Sequence, residues 1–152
     1  MADGERLTRR QQQRIDIAVL YERVDSEPGA PPTADDITSF CVAYQGGKPV
    51  GCGGLRKLDN TSAELKRMVV TKKTRYNGAA QAVLEFLEQK SLSLGLTRLL
   101  LETGDKLMEA QRFYSRNGYK IVPNFGYYAG GDTSVCMEKR LSDTEMVAKE
   151  TI

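Results

Sequence analysis

The chain has 152 residues, enough for one domain with a buried core and too few for two ordinary ones. Its 22 basic and 20 acidic residues leave a net charge of +2, too balanced for nucleic acid to be the main partner. Histidine is absent, which excludes Ser-His-Asp and Cys-His nucleophile systems and histidine-built zinc sites and leaves acid–base chemistry to Asp, Glu, Tyr, Lys, Cys or water.

The first ten residues, MADGERLTRR, lack the apolar segment of a secretory signal. No apolar run approaches the ~20 residues that cross a bilayer, so a cytoplasmic protein without a membrane partner is expected. Residues 1–36 read as a variable helix and loop. Over about 5–24, Ile17, Leu20, Tyr21 and Val24 recur at helical spacing, and the basic cluster Arg6–Arg14 reads as the solvated start of that helix. Three prolines and a glycine between Ser26 and Asp36 break the pattern.

Three strands are expected next: Ile37–Gln45, Pro49–Leu58 and Ala63–Val70. The turns between them, GGK and DNTS, are short, which makes an antiparallel meander. The period then changes. Ala80, Val83, Leu84 and Leu87 line one helical face, and Gly95 is a stop. Thr97–Thr103 is a continuous apolar run, as in a buried parallel strand, so this unit is a strand–helix–strand crossover. A short helix over Lys106–Asn117 follows, with Asp105 as candidate N-cap and Gly118 at its end. Strands at Tyr119–Val122 and Thr133–Leu141 close the domain, and 142–152 is a polar, flexible tail. The whole predicts a single α/β (α+β) domain with a mixed central sheet, antiparallel first and parallel in the middle. Cys41, Cys52 and Cys136 are odd in number and sit in strand-like stretches, as free thiols rather than disulfide or metal ligands; no metal is expected.

The stretch RYNGAA, Arg75–Ala80, lies where a strand gives way to a helix. The first-turn N–H groups of a helix lack intrahelical partners and carry partial positive charge, so they bind anions if the backbone can be approached. Gly78, Ala79 and Ala80 permit approach, and Lys72, Lys73 and Arg75 add charge. The alternative is that the small residues let the helix pack close to the sheet. Local composition leaves both open.

Arg75-Tyr76-Asn77-Gly78-Ala79-Ala80 resembles R/Q-x-x-G-x-G/A, the coenzyme A pyrophosphate loop of the Gcn5-related N-acetyltransferase (GNAT) family. ELKRMVV is similar to the family's fourth strand and LETG to the end of its fifth. EAQRFYSRNGYKIV resembles its A-x-x-x-[FY]-Y-x-x-x-G-[FY] helix and following strand, and NFGYYAGGDTSVCMEKRL its carboxy-terminal hairpin. The resemblance runs from about Phe40 to Leu141. It departs in three places: no opening strand is legible before the first helix, Leu107 stands where many members have Asn, and Asn77 where many have a second Arg.

The resemblance implies an acyl-CoA N-acyltransferase-like fold and acetyl transfer from acetyl-CoA to a primary amine of a small molecule or peptide, directly within a ternary complex. Residues 75–80 would hold the pyrophosphate. Backbone N–H groups of Met68, Val69 and Val70 would bind the pantetheine arm and polarise the thioester. Glu64 is the candidate base, acting through water, with alternation placing Glu64, Lys66, Met68 and Val70 on one face. Tyr114 is the candidate acid beside the cofactor sulfur. Tyr21, Pro28–Thr33 and the aromatics Phe125, Tyr127 and Tyr128 would wall the acceptor pocket, with Glu22 or Asp132 able to hold an ammonium. The rival expectation is a degenerate acyl-CoA-binding module with little turnover. An unpaired edge strand leaves room for a homodimer.

Overall fold

The structure, a computed structural model, describes residues 8–10, 14–22, 37–71 and 78–142. Seven strands form one sheet: β1 (Ile15–Glu22), β2 (Ser39–Gln45), β3 (Lys48–Lys57), β4 (Ser62–Val70), β5 (Arg98–Gly104), β6 (Lys120–Val122) and β7 (Ser134–Arg140). Two helices, α1 (Ala79–Ser93) and α2 (Met108–Arg116), follow β4 and β5. The spatial order is β1-β2-β3-β4-β5-β7-β6. The first four strands form the expected antiparallel meander, β4 and β5 are parallel, and β7 inserts antiparallel between β5 and β6.

The expected helix over 5–24 is corrected by β1. Arg9 and Arg10 are helical, but Ile15–Glu22 pairs along β2, so the opening strand is present. Ile15 and Ile17 pack against the core on alternate positions, the period of a strand. A bulge at Leu20, between the pairs Val19↔Cys41 and Tyr21↔Phe40, then ends the alternation. The surviving pattern is five residues long, too short to outweigh the accidental helical spacing of Ile17, Leu20 and Tyr21. Asp105 also does not cap α2. Leu107 holds that position without a side-chain hydrogen bond, while Gln111 Nε2 reaches back to the Gly104 carbonyl at 3.0 Å.

The core lies between the sheet and α1, where Val83, Leu84 and Leu87 are buried against Leu55, Leu65, Leu99, Leu101 and Met137. Close approach of α1 depends on Gly53. A Cβ there would sit 2.5 Å from Met68 Sδ and 2.7 Å from Val83 Cγ1, inside van der Waals contact. One ion pair crosses this core. Lys139 of β7 donates to both oxygens of Glu88 on α1, at 3.1 and 3.0 Å, and Tyr119 O–H donates to Glu88 Oε2 at 2.9 Å. All three side chains are buried, so the cluster fastens helix to sheet.

Candidate active site

Two irregularities of β4 build the site. The first is its separation from β5. The strands pair at Ser62↔Arg98, Ala63↔Leu99 and Glu64↔Leu100, and there the ladder stops. From Leu65 onward, β4 backbone groups that face β5 have no partner in that ladder. Lys66 to Val70 are half-buried or exposed, so these unpaired groups can be reached by an extended polar ligand, which would complete their hydrogen bonding. A cleft of about 630 Å³ opens there, lined by Met68, Val69 and Val70 of β4, Ala80 of α1, and Ala110, Phe113 and Tyr114 of α2.

The second is a bulge. Lys66 pairs with Gly54 and Val69 with Cys52, so Arg67 and Met68 together oppose Gly53. Arg67 takes φ 57°, a conformation costly for a non-glycine residue. The bulge reverses the alternation. Met68 and Val70 pack on the helix-side core with Leu65, while Glu64 and Lys66 point to the opposite face. The expected single face for Glu64, Lys66, Met68 and Val70 is therefore corrected, because period 2 holds only in an unbulged strand.

Three of the six loop residues, Arg75, Tyr76 and Asn77, lie outside the described residues. The other three divide the two readings of RYNGAA. Gly78 has φ 87° and open space where a Cβ would stand. Ala79 is fully buried and lies 3.7 Å from where a Gly51 Cβ would be, so it serves packing. Ala80 lines the cleft. Gln81 Nε2 donates to Asn117 Oδ1 at 2.7 Å, tying the first turn of α1 to the end of α2 across the same opening.

Tyr114 sits in the cleft wall, 8% exposed, with its ring edge-on to Phe113 at 5.2 Å and to Tyr119 at 5.6 Å. Burial pushes its phenol up to about 12, so it is a neutral donor throughout the working range.

Glu64 lies at the last β4–β5 pair, at the apex of the gap, 3% exposed. Tyr128 O–H donates to its Oε2 at 2.8 Å and accepts from Lys66 Nζ at 3.1 Å. Lys66 Nζ lies 3.6 Å from the same oxygen, and Arg56 Nη1 lies 3.8 Å from Oε1. Burial, then the neighbouring Glu64 carboxylate, hold the Tyr128 phenol well above its ordinary value. Tyr128 stands in a short 3-10 turn, Gly126–Tyr128, with Phe125 edge-on at 5.4 Å.

Sequence reasoning placed Tyr128 in a pocket wall and gave Arg56 no part. A signal for Arg56 exists: a hairpin centred on Asn60 sets Arg56 opposite Glu64, which is the observed register. For Tyr128, 64 residues away in sequence, no local signal exists. Of the two ammonium candidates, Glu22 is ion-paired with Lys90, and Asp132 is exposed in the loop before β7. Tyr127 is exposed, the side chain of Tyr21 and residues 28–33 lie outside the described residues, and the three cysteines are free thiols. No group of three or more Cys, Asp or Glu among the described residues could hold a metal ion.

Residues 36–121 match the family model described as acetyltransferase (GNAT) domain. The chain belongs to the GNAT acetyltransferase family. It is 31% identical over 105 residues to an uncharacterized N-acetyltransferase, YsnE, of Bacillus subtilis, covering 68% of this chain and 70% of that protein. It is 34% identical over 103 residues to an IAA acetyltransferase of Azospirillum brasilense, covering 67% of each. Among solved structures, a putative acyl-CoA N-acyltransferase from Klebsiella pneumoniae superposes with a TM-score of 0.66 at 30% identity, over 68% of this chain and 72% of that one. The fold is that of the acyl-CoA N-acyltransferases, and the protein is an acetyl-CoA-dependent acetyltransferase. No helix among the described residues is long and apolar enough to cross a membrane.

Proposed function

We propose that this GNAT protein transfers acetyl from acetyl-CoA to a primary amine of a small molecule or peptide, directly and within a ternary complex. The observation that carries it is the gap between β4 and β5, with Glu64 at its apex and, along its open side, a cleft lined by apolar side chains and by Lys106, Arg112 and Arg116. In this proposal the backbone of Met68, Val69 and Val70 holds the pantetheine arm and donates to the thioester oxygen as charge develops there. Gly78 and Ala80, with Arg75, Tyr76 and Asn77, hold the pyrophosphate, and Ala79 seats the helix behind them.

Glu64 takes a proton from the acceptor ammonium through water, leaving a neutral amine to attack. Because Glu64 is buried, water carries that proton better than direct contact does. Tyr114 assists departure of the thiolate. A phenol pushed up by burial is a weaker acid than a thiol, so full transfer to the thiolate would be uphill. Tyr114 therefore acts as a hydrogen-bond donor to the leaving sulfur, and solvent supplies the proton.

The test is incubation with acetyl-CoA and a panel of amino acids, polyamines, aromatic amines and peptides, read by mass spectrometry. A product heavier by one acetyl group, with no acetylated enzyme, supports direct transfer. Cofactor binding without product from any amine would leave a binding module instead.

A further inference from the structure

We infer that Tyr128 and Lys66 are positioning residues for Glu64, and that the Gly126–Tyr128 turn is part of the catalytic apparatus rather than only a wall of the acceptor pocket. This rests on the reading of Glu64 as base. The carboxylate has two cations near it, but at 3.6 and 3.8 Å neither makes a good hydrogen bond. Its short hydrogen bond is the one from Tyr128, at 2.8 Å. Cations at that range set charge, and only the phenol sets orientation.

Lys66 fixes the phenol in turn. By donating to the Tyr128 oxygen it occupies a lone pair and directs the single O–H toward Glu64. The turn is itself held. Asn124 Nδ2 donates to the Gly131 and Ser134 carbonyls, both at 3.1 Å, and closes the loop that carries Tyr128. The result is a carboxylate faced by cations from β3 and β4, Arg56 and Lys66, and oriented from the turn before β7. Glu102 on β5 and Cys136 on β7 also act electrostatically on Tyr128, and Glu102 is itself bound by Ser134 O–H at 2.8 Å.

The arrangement leaves Glu64 one oxygen, Oε1, that Tyr128 does not occupy. A general base needs a fixed lone pair aimed at the water it deprotonates, and loss of alignment is felt as loss of kcat. Tyr128→Phe removes orientation and keeps the ring. Lys66→Met removes both charge and the grip on Tyr128, and Lys66→Arg restores the charge.

The experiment is steady-state kinetics of these three variants and Glu64→Gln, with acetyl-CoA and an accepted amine. Tyr128→Phe and Lys66→Met should each lower kcat about tenfold or more with the acetyl-CoA KM within about twofold of wild type. Lys66→Arg, which keeps a cation beside the carboxylate, should recover part of the kcat that Lys66→Met loses. Wild-type kcat in Tyr128→Phe, or in Lys66→Met, overturns the inference. Wild-type kcat in Glu64→Gln overturns the base itself, a separate failure. A KM for acetyl-CoA that rises in step with the loss of kcat would assign the turn to folding and also overturn it.

Discussion

Two buried glutamates share nearly the same surroundings, and we propose different roles for them. Glu64 and Glu88 are 3% and 1% exposed, and each accepts a hydrogen bond from a tyrosine and faces a lysine. They lie on opposite faces of the sheet. Around Glu88 the partners are sealed: Tyr119 is 2% exposed and Lys139 7%. Around Glu64, Arg56 is sealed as well, at 7%, but the other two partners are not. The Lys66 side chain keeps 27% of its exposure, Tyr128 is half-buried, and the strand beneath ends its pairing with β5 there. A carboxylate with every neighbour closed off can only fasten. One at the end of a ladder, with a neighbour reaching solvent, can exchange a proton. Burial of the residue itself does not tell the two apart; the exposure of its partners does.

The variants that separate them rank by size. Glu64→Gln should lower kcat by about 10²–10⁴-fold, the ordinary worth of a general base, while the acetyl-CoA KM holds. Glu88→Gln should do the reverse. It leaves the Lys139 ammonium facing a neutral amide inside the core, at a cost of about 3–5 kcal/mol in urea unfolding, with kcat of the folded protein unchanged. A Glu88 variant that is stable but slow would break the comparison.

Gly53→Val tests the helix-side core and, through Met68, the wall of the cleft. Its Cβ would overlap Met68 and Val83, and overpacking of this kind costs about 1–3 kcal/mol, read as a lower denaturant midpoint. Tyr114→Phe should reduce kcat by about tenfold, less than Glu64→Gln, because a donated hydrogen bond rather than a whole proton is lost. The smallest effect is on alkaline stability. Burial holds the phenols of Tyr114, Tyr119 and Tyr128 protonated beyond their ordinary range. Between pH 10 and 12 the unfolded chain has lost protons that the folded chain keeps, so unfolding free energy falls as pH rises. Tyr114→Phe should flatten that fall in thermal melts.

Much of this was legible in the sequence, and what was not has a common cause. The β2–β4 meander, α1, the crossover and β5 follow from clean periods and short turns. The two errors of strand placement came from bulges. The one at Leu20 hid β1, and the one at Arg67 moved Met68 and Val70 to the face opposite Glu64. A bulge adds one residue and inverts every position after it, and no composition signal marks it. Glu64 and Tyr114 were visible as candidates because their motifs are local. The grip of Tyr128 and Lys66 on Glu64 was not, since it joins residues brought together only by the β7 loop.

Everything proposed for the site requires that the gap between β4 and β5, with the start of α1, hold acetyl-CoA. Calorimetric titration of the wild type beside Gly78→Glu tests it most directly. Gly78 has room for a side chain within the protein, so the added carboxylate should be tolerated by the fold apart from the strain of φ 87°, and it would meet the pyrophosphate head-on. Binding near micromolar in the wild type, lost in a variant that still melts cooperatively, is the predicted result. No binding by the wild type, or equal binding by both, would contradict the claim.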